Sequence, residues 1–81
     1  DQVRQSLAHN IRSLRSQQGL SQEALALNAE VDRTYVSQIE RAVGNPSLLV
    51  LCKLAAILRV DTMDLVAPGI QPTTFPSNKT P

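Results

Sequence analysis

Aromatic side chains are nearly missing: one Tyr, one Phe and no Trp in 81 residues. A core without rings must be filled by Leu, Val, Ile and Ala, which favours packed helices over a sheet. Three glycines leave no room for a glycine-rich phosphate loop. A single histidine, His9, and a single cysteine, Cys52, exclude an intramolecular disulfide, a cysteine-rich metal site and a histidine-dependent triad with any redundancy. His9 is expected to face solvent and Cys52, inside an apolar run, to be a buried thiol. That run, LLVLCKLAAIL, is too short and too interrupted by Lys53 to span a membrane, and the N-terminal DQVRQSLAHN lacks the apolar core of a signal peptide. Net charge is only +1, and residues 1–67 carry seven basic and seven acidic side chains. Bulk charge therefore provides no attraction for nucleic acid, and such a role must rest on where the charges sit. The expectation is a cytoplasmic, non-enzymatic chain that needs no cofactor or metal.

Helical periodicity divides the chain. Val3, Leu7, Ile11 and Leu14 form an apolar stripe on a first helix over about 2–18, stopped by Gly19. Ser21 caps a second helix reaching Ala29, and Asp32 caps a third over 33–41. Pro46 ends any continuation; Ser47 caps a fourth helix reaching Leu58 or Arg59, and Asp61 a short fifth over 62–66. Residues 68–81 hold most of the prolines without periodicity and read as an extended tail. The predicted fold is all-α, a compact five-helix bundle over residues 1–67. Its expected core is Leu7, Ile11, Leu14, Leu25, Ala26, Val31, Val36, Ile39, Leu48, Leu51, Leu54, Ala55, Leu58, Leu65 and Val66.

Leu20–Asn45, LSQEALALNAEVDRTYVSQIERAVGN, is the most informative stretch. Two short helices joined by a tight turn cannot bury much surface alone and must pack on others. The second presents Arg33, Thr34, Ser37, Gln38 and Arg41 away from its apolar stripe. Arginine, amide and hydroxyl side chains together suit base edges and phosphates in a major groove. The unit reads as a helix-turn-helix whose recognition helix lies near 32–41.

The segments IRSLRSQQGLSQEALA, VDRTYVSQIER and NPSLLVLCKLAAILRVDTMDLV, in that order and spacing, resemble the Cro/repressor-type or XRE family of helix-turn-helix DNA-binding proteins. The resemblance covers about residues 7–67, and DRTYVSQIER followed by NPSL is similar to small restriction–modification controller proteins. It implies a lambda-repressor-like fold, base reading by Arg33, Thr34, Ser37 and Gln38, and phosphate contacts by Gln22, Tyr35, Arg41 and Asn45. It also implies a salt bridge between Arg15 and Glu40. Three departures stand out. Glu30 occupies a turn position that commonly holds Gly, Ala42 stands where Gly usually follows Glu-Arg, and Ala24 breaks the capping box begun by Ser21. Gly44 is expected to supply the turn that Ala42 would not.

The fourth helix is apolar almost all round. Leu48, Leu51, Ala55 and Leu58 satisfy a core, which leaves Leu49, Val50, Ala56 and Ile57 as an outward face. A second copy of the chain is the simplest cover, with the tail residues Ile70 and Phe75 as the alternative. The sequence therefore reads as a homodimeric transcriptional regulator on double-stranded DNA carrying an inverted-repeat operator. The alternative is an antitoxin-like module that binds a partner protein, through the tail, with DNA binding secondary.

Overall fold

The computed structural model describes residues 2–68, so the tail expected over 68–81 lies, beyond Pro68, outside the described residues. Five helices follow one another: α1 (Gln2–Gln17), α2 (Gln22–Ala29), α3 (Arg33–Glu40), α4 (Leu48–Leu58) and α5 (Thr62–Val66). There is no strand among the described residues, and none of their helices is long and apolar enough to cross a membrane. The packing closes a ring. α1 lies on α3, α3 on α2, α2 on α4, α4 on α5, and α5 returns to α1. Ile11, Leu25, Val36, Leu54, Leu58 and Leu65 fill the centre with essentially no exposure. Burying such an aliphatic side chain is worth about 1.5–3 kcal/mol each, which is the main term holding five short helices together.

Four of the five helices end in the same way. A left-handed residue follows the last turn, and the next residue returns its amide to the carbonyl five positions back: Leu20 to Arg15, Val31 to Ala26, Val43 to Gln38 and Val60 to Ala55. In each case the residue after the stop is aliphatic, and Leu20, Val31 and Val60 pack against the core. This is the Schellman geometry, with its apolar contact turning the chain back onto the helix. Only Gly19 among the four left-handed residues lacks a side chain; Glu30, Ala42 and Arg59 adopt φ of 59°, 59° and 64°. Ala42 thus takes the left-handed position itself, contrary to the expectation that Gly44 would replace it; Gly44 is also left-handed, one turn of loop later. The hydrogen bond, joined at Glu30 and Arg59 by the apolar anchor, outweighs a strain of about 1–2 kcal/mol per residue.

Several burial expectations are corrected. Leu48 is 69% exposed because it opens α4, a full turn before its first buried residue, Leu51. Cys52 is exposed rather than buried: Leu51, Leu54, Ala55 and Leu58 claim the inner arc of α4, and successive steps of 100° put Cys52 on the outer one with Leu49 and Ala56. Val66 lies at the rim, and Val3 and Val31 are at most partly covered. In the other direction, Ala8 and Ala29 join the interior, as does one unforeseen polar residue. Asn10 is fully buried and its amide donates to the carbonyls of Asp64, Leu65 and Ala67, at 3.2, 2.9 and 2.7 Å. It satisfies the C-terminal carbonyls of α5, a five-residue helix too short to persist without a partner.

The left-handed stops generate a stability test. Glu30→Gly and Ala42→Gly should each be neutral or stabilise the fold by up to about 1 kcal/mol, whereas Gly19→Ala should cost about 1 kcal/mol. Urea midpoints measured at constant m decide the matter; a loss of stability in both glycine variants would mean that the strain is not there.

Candidate nucleic-acid interface

The α2–turn–α3 unit is built by its caps. Ser21 Oγ accepts the Ala24 amide at 2.9 Å and starts α2; Asp32 Oδ1 accepts the Thr34 amide at 2.8 Å and starts α3. Those bonds from Thr34 hold the exposed Asp32 carboxyl below its ordinary range. Between the caps, Glu30 turns left-handed and half-buried Val31 plugs the corner.

α3 has two unlike sides. Val36, Ile39 and Glu40 are buried. Arg33, Ser37, Arg41, Thr34 and Gln38 fall, at 100° per residue, within an arc of about 140° on the other side. Arg33, Thr34 and Arg41 are exposed, Ser37 and Gln38 half-exposed. Tyr35 flanks this arc and lines a shallow depression with Gln38, Ile39, Val43, Asn45 and Pro46. Asn45 is exposed in the α3–α4 loop and its Oδ1 accepts from Arg4 Nη2 at 3.2 Å. Seven of the eight residues expected to touch DNA therefore lie on α3 or the loop that follows it.

Behind α3 stands an ionic cluster. Arg15 grips Glu40 with two bonds, Nε to Oε2 at 2.6 Å and Nη2 to Oε1 at 2.9 Å, and a third, from Nη1 to the Leu20 carbonyl at 2.8 Å, ties it to the turn between α1 and α2. Arg12 donates to the Glu40 carbonyl. Gln22, the eighth residue expected on DNA, donates Nε2 to Glu40 Oε1 at 3.0 Å, so in the free protein part of its amide faces the cluster. Glu40 is only 4% exposed. Burial pushes its carboxyl up, but the bonds from Arg15 and Gln22 and the charges of Arg15 and Arg12 outweigh this and leave it below the ordinary carboxylate range. The bond to Glu40 correspondingly holds Arg15 above its ordinary value. Arg12 and Asn10 escaped sequence reading, although Asn10 carries a signal: it stands three residues after Leu7 and one before Ile11, a polar residue within an apolar stripe.

Two short capped helices at a tight turn, with a polar arc on the second, make a helix-turn-helix, and the helix-turn-helix family model HTH_3 matches residues 11–65. The chain belongs to this family. A transcription factor described as hypothetical from Neisseria meningitidis is 44% identical over 66 residues, which cover 82% of this chain and 62% of that protein, so the chain spans less than two thirds of that relative's length. The restriction–modification controller protein C.AhdI from Aeromonas hydrophila is 39% identical with a TM-score of 0.72, covering 76% of this chain and 94% of that one. SinR, a master regulator for biofilm formation solved in complex with DNA, is 35% identical with a TM-score of 0.71, over 75% of this chain and 98% of its own.

The cluster predicts a pH dependence. Glu40 is ionised more readily folded than unfolded, so its contribution is complete above the ordinary value of 4.5 and is lost as pH falls through the lower, folded value. Unfolding temperature should therefore drop in acid, and Glu40→Gln should flatten that drop while costing about 3 kcal/mol at neutral pH. An unchanged acid limb in the variant would remove Glu40 as its source.

Proposed function

We propose that this chain is a sequence-specific, double-stranded DNA-binding transcriptional regulator that inserts α3 in the major groove and acts as a homodimer on an inverted-repeat operator. The observation that carries the reading is the polar arc of α3, held outward by Val36, Ile39 and the Glu40 cluster. Arg33 and Gln38 supply the donors and acceptors that suit guanine and adenine edges, and Thr34 and Ser37 the hydroxyls between them. Arg41, at the C-terminal end of the arc, and Tyr35 and Asn45 beside it lie where phosphates would run, and the N-terminus of α2 with Gln22 offers a further anion contact. The C.AhdI and SinR likenesses support the reading, since one is a controller protein and the other was solved with DNA.

Selection from a random DNA pool tests the reading directly. Arg33→Ala and Gln38→Ala should weaken binding to the selected site by about 1–3 kcal/mol each and relax preference at single base pairs, with thermal unfolding unchanged. Equal weakening on selected and random DNA would rule out base reading by these side chains.

Pairing rests on the outer arc of α4 and on α5. Leu49 is 65% exposed and Met63 79%, with Leu48, Cys52 and Ala56 beside Leu49. Val50 and Ile57, expected outward from the sequence, are half-buried against the protein's own core and form only the margin of this face. So much exposed aliphatic surface on an 8.8 kDa chain is more than a monomer usually presents. Leu49→Glu and Ala56→Glu should shift sedimentation from dimer towards monomer at tens of micromolar and weaken operator binding, with half-sites spaced by about one helical turn, roughly 34 Å. A wild-type chain that sediments as a monomer with and without DNA would end the dimer reading.

A further inference from the structure

The bond between Arg4 and Asn45 joins the first turn of α1 to the loop after α3, across 41 positions of sequence. It ties α1 to this loop, whereas Arg15 and Asn10 tie α1 to the Glu40 cluster and to the end of α5. Its chemistry has a direction. A guanidinium has donors only, so a carboxamide facing it must present its oxygen. With Oδ1 turned to Arg4, the Asn45 amino group points the other way, and its two hydrogens are the donors a phosphate oxygen needs. Asn45 follows left-handed Gly44 and precedes Pro46, whose ring restricts the backbone of the residue before it, so the chain at this point is already constrained and the amide orientation is the freedom that remains. Asn45 is exposed and Arg4 half-exposed, at the polar rim of a groove walled by Val3, Pro46 and Leu51.

We propose that Arg4 is a positioning residue for the DNA backbone: it turns the Asn45 amide so that its donors face a phosphate, and it places a cation beside that same phosphate. This rests on the DNA-binding reading above and extends the footprint from the helix-turn-helix onto α1. Arg4 would join Arg33 and Arg41 as a cation at the interface of a chain whose net charge is only +1.

The test is operator affinity by fluorescence anisotropy across a salt series, using DNA selected from a random pool, for the full chain and for Arg4→Ala, Arg4→Lys, Asn45→Ala and the double alanine variant. Arg4→Ala should weaken binding to selected and random DNA alike, by about tenfold, and reduce the magnitude of the salt slope by about 0.9. Arg4→Lys should restore the slope. Asn45→Ala should weaken binding while leaving the slope as in the wild type, and Arg4→Ala should cost less in the Asn45→Ala background than alone. Circular dichroism and thermal unfolding should be unaltered, since neither side chain belongs to the core. Unchanged affinity and slope in Arg4→Ala would overturn the proposal, as would an equal loss in both backgrounds. A wild-type chain that selects no DNA would instead overturn the function on which it rests.

Discussion

The orientation of the polar arc of α3 depends on one buried carboxylate. Glu40 is the last residue of α3, where the helix dipole already presents partial negative charge, and it is nearly sealed from water. Neither circumstance favours an anion. It persists because Arg15 meets both of its oxygens and Gln22 and Arg12 add to the count. The cost of removing these charges from water means that the cluster adds little stability over an apolar substitute. What it supplies is geometry: α1 holds Arg12 and Arg15, α2 holds Gln22, and α3 holds the carboxylate, so one anion fixes three helices against each other. An apolar contact would tolerate rotation of α3 about its axis. A bidentate ion pair does not, and a rotation of α3 would carry the polar arc of Arg33 to Gln38 away from whatever it faces.

The second constraint is how the chain stops its helices. In a domain of five helices and 67 described residues, each corner must be sharp, and the repeated left-handed stop makes it so. After three of the four stops the aliphatic residue, Leu20, Val31 or Val60, is part of the device: it returns apolar surface to the core where loops usually leave it. This explains why the chain needs so few glycines. The anchor and the returned hydrogen bond hold Glu30 and Arg59 in a conformation they would not choose, and at Ala42 the returned bond from Val43 does so.

Which parts of this were legible in the sequence follows from which signals are local. Helix limits are local, written in Ser21, Asp32, Ser47, Asp61 and Gly19, and the five helices lie within a residue or two of where these side chains put them. The pairing of Arg15 with Glu40 came from resemblance; no periodicity joins residues 25 apart. Burial failed where periodicity met the edge of the bundle. Leu48 and Val66 keep the right phase but sit at helix ends that the other described residues leave open, and for Cys52 the angle on the helix overrides the hydropathy of its neighbours. At Ala42 the Val43 bond overrides intrinsic preference, which is all that the sequence displays at that position. The partners of Arg4 and Asn10 are not legible because they lie 41 or more positions away, although the polar Asn10 within an apolar stripe marks its own burial.

The near-neutral charge bears on how such a regulator would discriminate. Sequence-independent affinity comes from phosphates neutralised and counterions released, and a chain with so few net cations gains little of it. The Arg15–Glu40 pair withdraws one cation and one anion into the interior, and Glu30 and Asp32 set acidic groups at the turn beside α3. Weak attraction to random DNA is an advantage for specificity, because competing sites in a genome are dilute traps only when each is poor. The same weakness leaves a single protomer with a short footprint, a few base edges and a few phosphates. Two protomers joined through α4 and α5 would present the second reading helix at high effective concentration once the first has bound, and so multiply affinity for paired half-sites without raising affinity for random sequence. On the dimer proposal the exposed aliphatic face and the low charge would be two halves of one arrangement, association supplying the affinity that electrostatics withholds.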